Sequence, residues 1–354
     1  MSEKIFKAGG AEYITALIEE GIKNGTRCAT VKGCWEIDKA VRIPSEFTLT
    51  LEDCHLRLAD GSFTQIFVNE HHDTDLGRTA AGTDTGISII GRGEAILDGG
   101  KYNGLSEKTQ RKDGMPPIYK NNLILFTNVD NFRVTGLSCR TQRWWATNFI
   151  FARNGYIANM DFCSSDIGID SEGREYHGLV REKYDEVLVK NSDGIDLRVG
   201  CQNITIENIT GFTEDDTIAL TGLMGRMERN FLVDGLSTDI SNISIKNVRS
   251  SAFCTIVRLL NQGSVNLHDI TIDGVYDTFR ECPHLDHGLY AVRVGDVRLY
   301  GERHATEDET YNITIKNVQG GGDYVLSLAG AIGNLVTENI TAIGETPLLL
   351  DQRS

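Results

Sequence analysis

Six segments of the chain are variants of one seven-residue phrase: NFRVTGL from Asn131, NITIENI from Asn203, NISIKNV from Asn242, DITIDGV from Asp269, NITIKNV from Asn312 and NLVTENI from Asn334. Recurrence of this kind restricts a chain to repeat architectures before any single element is assigned. β-Branched and polar residues alternate within the phrase, so that Ile204 and Ile206 face one way and Thr205 and Glu207 the other, as in a half-buried strand. The trailing Asn of several copies (Asn208, Asn247, Asn317) suits a turn, because its side chain tolerates left-handed backbone and bonds the nearby main chain. Asn203, Asn208, Asn242, Asn312 and Asn339 also match Asn-x-Ser/Thr, which is read as a by-product of the repeat rather than as glycosylation.

A second strand series interleaves with the first: WWATNFI at 144, GIDLRV at 194, DTIAL at 216, TIVRLL at 255, YAVRVG at 290, YVLSLAG at 324 and PLLLD at 347. Successive members lie mostly 22 to 39 residues apart, which is one turn of a coil carrying two or three short strands. A propeller needs four strands per repeat. A doubly wound fold needs amphipathic helices between strands, and only one good helix is predicted, over 11–23. The expectation is an all-β, single-stranded right-handed parallel β-helix, one domain over 1–354, with that helix as an N-terminal cap over the open first coil.

The formal net charge of −15 and pI near 5.0 argue against nucleic-acid and membrane-surface partners, since phosphate binding needs a basic face. With no apolar leader run, a cytoplasmic location is expected; the oligomeric state is left open. Eight cysteines without CxxC or CxxH spacing read as buried free thiols rather than a zinc site. No metal and no cofactor are expected.

The chemistry-bearing stretch is NSDGIDLRVGCQNITIENITGFTEDDTIAL, from Asn191 to Leu220. Asp193 and Asp215, 22 residues apart, are expected at equivalent places on adjacent coils, converging with Asp216 on one outer face. Crowded carboxylates split their pKa values, leaving one protonated as an acid and another ionised as a base, which is what glycoside hydrolysis requires. Turn formation by Asp193, Asp196, Asp215 and Asp216 is the alternative, and a calcium site is another use of the same oxygens. Arg258 and Arg293 share a place in their strands and should point outward, with Ile256 and Val292 alternating on the same outer face or the register slightly bent; they would bind a substrate carboxylate or hydroxyls, or else form a solvated face. Of Trp144 and Trp145 only one can face outward; Trp145 is taken as a sugar-stacking candidate.

These residues resemble the polygalacturonase family, glycoside hydrolase family 28, in the pectin-lyase-like β-helix superfamily, along nearly the whole chain. WEIDKAVRIPSEFTLTLEDCHLRLADG at 35–61, IIGRGEAILDGG at 89–100 and NLILFTNVDNFRVTGLSCRTQRWWATNF at 122–149 echo its N-terminal and middle patterns. Its Asn-Thr-Asp motif looks like Asn191-Ser192-Asp193, its Gly-Asp-Asp like Glu214-Asp215-Asp216, and its Arg-Ile-Lys like Arg258-Leu259-Leu260, without the lysine. The resemblance implies Asp215 as general acid, Asp193 and Asp216 as water-activating groups, and Asn191 and Arg258 as substrate contacts. A divergent member is indicated, because the family's Gly-His-Gly is replaced by the histidine-free stretch 221–240, where Arg226 and Arg229 are candidates for substitute cationic contacts, a solvated loop being the alternative. The stretch 164–187, containing His177, is expected to line the cleft with 221–240 and turn a groove into a pocket; an exposed loop histidine is the alternative.

The function expected is therefore hydrolysis of a glycosidic bond in a plant-type, pectic or related oligosaccharide, inverting and exo-acting. A lyase or fructotransferase on the same scaffold, or a carbohydrate-binding β-helix without catalysis, remain alternatives.

Overall fold

The computed structural model describes residues 4–100, 103, 121–142, 144–164, 167–169, 174–177, 192–263, 265–283, 285, 288–297, 300 and 303–353. Among them, twenty strands join one continuous sheet network, and all of its pairings between successive coils are parallel. The chain is a parallel β-helix, as the repeat requires.

The seven-residue phrase forms one ladder. The strands Trp145–Cys163, Gln202–Thr213, Ile240–Ala252, Leu267–Asp277, Thr310–Gly320 and Gly333–Ala342 follow one another, and Ile157, Ile206, Ile245, Ile272 and Ile315 stack in a single inward row. Each of these isoleucines is fully buried. A buried apolar side chain contributes about 1.5–3 kcal/mol relative to exposure, so a one-residue slip of the ladder, which would turn the row outward, is strongly disfavoured.

The asparagines at both ends of the phrase adopt left-handed backbone, with φ of 56° at Asn203 and 58° at Asn208. Their side chains form columns along the outside: Asn203 Nδ2 donates to Asn154 Oδ1 (3.0 Å) and Asn242 Nδ2 to Asn203 Oδ1 (3.1 Å). A parallel column runs from Asn247 through Asn208 to Asn159. The amide nitrogens of the sequon residues Asn203, Asn208 and Asn242 are therefore bonds of the repeat.

The N-terminal helix spans Gly10–Lys23 and buries Ala11, Ile14 and Ile18 against the first coil, covering its end as expected. All eight cysteines are free, but only Cys54, Cys139 and Cys201 are buried, and Cys28 is exposed. Among the described residues no helix is long and apolar enough to cross a membrane.

Candidate active site

The second strand series carries the site, and a break in its alternation decides which residues emerge. Ile256 and Val257 are consecutive core residues, as are Ala291 and Val292, and Val325 and Leu326. Two inward residues in succession mark a corner of the coil, and they place the outward positions three apart: Thr255 with Arg258, Tyr290 with Arg293, Tyr324 with Ser327. Ile256 and Val292 thus point into the core and do not share the outer face of Arg258 and Arg293.

Two outward rows result. One runs Asn148, Asp196, Ala219, Arg258, Arg293 and Ser327 through paired positions of six coils. The other pairs Trp145 with Asp193 and continues through Asp216 to Thr255, Tyr290 and Tyr324. Asp216 occupies this row because Gly194 N–H donates to Asp216 O (3.0 Å) and Ile195 N–H to Thr217 O (2.9 Å). The stacked pair is therefore Asp193 and Asp216, 23 residues apart. Asp215, expected in that place, sits in the bend just before the strand Ile218–Gly222. Gly194 permits the close stacking: a Cβ there would lie 2.4 Å from Thr217 O and 3.3 Å from the Phe162 ring.

Asp193, Asp215 and Asp216 each offer a carboxylate oxygen within 4.8 Å of the others. Asp193 and Asp216 are 6 % and 3 % exposed, whereas Asp215 is half-buried. Asp216 N–H donates to Asp193 Oδ1 at 3.0 Å. Burial, reinforced by the charges of Asp196, Asp215 and Asp216, holds the Asp193 carboxyl well above the usual carboxylate range, and burial does the same for Asp196 against the pull of Arg198. Burial pushes Asp216 up to about 7, with Arg258 opposing the rise. All three shifts are upward and have burial as their largest cause.

Arg258 Nη1 donates to Asp216 Oδ2 (3.3 Å) and its Nη2 to Asp296 Oδ2; Arg293 Nη2 donates to Asp296 Oδ1 (2.6 Å). Asp296 thus bridges both arginines. Arg258 is itself buried, and Asp216 and Asp296 keep it protonated although burial works the other way. Ala219, its small neighbour in the row, leaves the guanidinium room to turn back to Asp216. On the other side Arg198 joins Asp196 Oδ1 (3.3 Å) to Glu228 Oε1 (2.9 Å) and lies 3.9 Å from the Trp145 ring centroid. Trp145 is the half-buried member of its pair and Trp144 is buried, but one face of the Trp145 ring is already occupied by a cation.

The stretch 221–240 packs on the outer face. Met227 and Phe231, from and just after the short helix Arg226–Asn230, join Val233 in an apolar cluster with Val68, Leu125, Ile150, Phe151 and Val199. It walls the face on the side of the earlier coils and delivers Glu228 to Arg198. The Arg226 side chain and Asn191 lie outside the described residues. His177 pairs through its backbone with Ile167 in a two-stranded antiparallel ribbon, and its side chain is likewise outside the description, as is most of 164–187.

Asp196, Arg198, Glu228 and Asp296 belong to the site and were not singled out from sequence as its members. Asp196 carried a signal, its place in the acidic run; Asp296 carried a weaker one, three residues beyond an outward Arg and after Gly295, whose φ is 78°.

No family model matches the sequence, and no curated protein sequence matches it. Solved structures do match, at low identity. The exopolygalacturonase from Thermotoga maritima is 11 % identical with a TM-score of 0.53, over 97 % of this chain and 87 % of that one. The tailspike of an E. coli bacteriophage, in complex with a pentasaccharide, is 14 % identical with a TM-score of 0.56, over 97 % of this chain and 61 % of its own. A surface protein and adhesin of Streptococcus pneumoniae is 13 % identical with a TM-score of 0.50, over 97 % and 96 %. These similarities establish a shared parallel β-helix fold.

Proposed function

We propose that this protein is a glycoside hydrolase in which Asp215 protonates the leaving oxygen while Asp193 and Asp216 hold and activate the attacking water. The observation that carries the reading is the stacked pair Asp193–Asp216, buried, amide-linked and raised in pKa, beside a more exposed third carboxyl. Burying like-charged groups costs stability and is rarely retained without a chemical use. Structural neighbours named as an exopolygalacturonase and a galactose-sulfate galactohydrolase support a carbohydrate-cleaving role. The wall formed by 221–240 closes the outer face on one side, which favours attack at a chain end and hence exo action.

A non-catalytic binder would share the fold, as the adhesin does, but has no need of carboxylates held in this state. A lyase would ordinarily take a deprotonated Lys or Arg as its base, and among the described residues Arg258 and Arg293 are both held by Asp296. The test is product mass spectrometry on a panel of pectic and hemicellulosic oligosaccharides with wild type and Asp215→Asn. Single-unit products that gain one water and vanish in the variant support the proposal. Unsaturated products absorbing in the ultraviolet would assign a lyase, and binding without products would assign a lectin-like role.

A further inference from the structure

Asp193 and Asp196 stand three apart in the strand Asp193–Leu197, the spacing that brings Thr255 and Arg258 to the outer face, and their carboxyls hydrogen-bond each other. Both are buried. Such a bond needs a proton on one partner, because two carboxylates offer only acceptors. Asp193 Oδ1 already accepts the Asp216 N–H and Asp196 Oδ1 accepts from Arg198, while among the described residues no donor reaches Asp196 Oδ2. One proton between the two carboxyls completes the bond and relieves the repulsion of a doubly ionised pair.

Asp196 is gripped from behind. Arg198 Nη2 donates to Asp196 Oδ1 at 3.3 Å and its Nη1 to Glu228 Oε1 at 2.9 Å, and the guanidinium lies against the Trp145 ring. Arg198 and Glu228 are buried, so these bonds act in a medium that strengthens them. Asp196 itself is 0 % exposed and acts on a substrate through Asp193 rather than by contact.

We propose that Asp196 is a positioning residue for Asp193, held by the Arg198–Glu228 pair and sharing one proton with the Asp193 carboxyl. This rests on the hydrolase reading. At rest the two carboxyls carry one proton and one negative charge. As the water oxygen bonds the anomeric carbon, its proton passes to Asp193 and the shared proton settles on Asp196. Asp215 gives its own proton to the departing oxygen as that bond breaks, and the extra proton returns to Asp215 through solvent before the next turnover.

The experiment measures kcat, KM and pH profiles of wild type, Asp196→Leu and Asp196→Asn on an oligosaccharide that wild type hydrolyses. Carbon NMR of protein labelled in its aspartate carboxyls follows the titration of Asp193. Leucine removes the bond and should lower kcat about 10- to 100-fold with KM changed less than about twofold. Asparagine can bond both Asp193 and Arg198 and should recover most of that loss. Asp196, Asp215 and Asp216 all raise Asp193, with the Asp216 amide opposing, so removal of the Asp196 charge should move the acid limb of kcat/KM and the Asp193 titration to lower pH. A purely structural role would move neither. Should the leucine variant not fold, the asparagine variant and the titration decide. A loss in Asp196→Asn equal to that of Asp193→Asn would make Asp196 a catalytic group in its own right and overturn the proposal, as would an unmoved Asp193 titration. If wild type cleaves no oligosaccharide the hydrolase reading falls, and the titration alone decides whether the proton is shared.

Discussion

Asp193 Oδ1 accepts the backbone N–H of Asp216 at 3.0 Å, tying the side chain of one candidate catalytic residue to the main chain of the other on the adjacent coil. An amide oxygen can accept that bond as well as a carboxylate oxygen can. Asp193→Asn should therefore fold like the wild type yet lose about 10²–10⁴ in kcat/KM, since the amide can neither take nor share a proton. Asp193→Ala should lose the same activity and also stability, because the Asp216 N–H is left without its acceptor, at about 1–3 kcal/mol. Kinetics combined with urea denaturation of the two variants separates the roles; equal activity in Asp193→Asn and wild type would remove Asp193 from the chemistry.

The raised pKa of Asp216 carries a stability signature. Its folded value is about 7 and its usual value 3.8, so between those limits the folded chain holds a proton that the unfolded chain has released. Stability must then fall as pH rises through this window, by up to about 1.4 kcal/mol per pH unit for one group. Asp193 and Asp196, raised by the same burial, add to the slope. Asp216→Asn cannot ionise, so its urea midpoint should exceed that of wild type above pH 7 and depend less on pH, even as activity is lost. A steeper pH dependence in the variant would contradict the burial argument.

The fold was legible because the phrase around Asn203 recurs with its alternation intact, and the inward row from Ile157 to Ile315 follows from that period alone. The site was legible in residue type but not in register. Asp193 and Asp215 are separated by a plausible coil length, yet the bend before Ile218 carries one more residue and puts Asp216 in the row. Likewise the doubled inward pair Ile256–Val257 at the corner breaks strict alternation, so period two misassigns Ile256. Asp296 escaped notice because its partner Arg258 is 38 residues away across a loop whose length no repeat fixes.

Asn208 tests the external column. It donates to Asn159 Oδ1 (3.0 Å), accepts from Asn247 Nδ2 (2.7 Å) and has φ of 58°. Asn208→Gly removes the two exposed hydrogen bonds but suits the backbone; Asn208→Ala also forces a Cβ into left-handed geometry. The alanine variant should be the less stable by about 1 kcal/mol, read from thermal or urea unfolding. Equal stabilities would mean that the backbone relaxes there and that the column does not fix the turn.

Stereochemistry follows from burial rather than from separation. Oxygens within 4.8 Å lie closer than the about 6.5–9.5 Å typical of acid and base in single-displacement glycosidases, and spacing alone would suit a covalent intermediate. A nucleophilic carboxylate, however, must reach bonding distance of the anomeric carbon. Asp193 and Asp216, 6 % and 3 % exposed and held by the Asp216 amide and Arg258, are set back from the surface, whereas a water in contact with both can bridge the gap. On the proposed hydrolase reading, water attack opposite Asp215 inverts the configuration. The first-formed anomer, followed by proton NMR before mutarotation, should thus be opposite to that of the substrate. Retention, or a glycosyl adduct on Asp193 or Asp216 seen by mass spectrometry, would turn one of the two buried groups into the nucleophile.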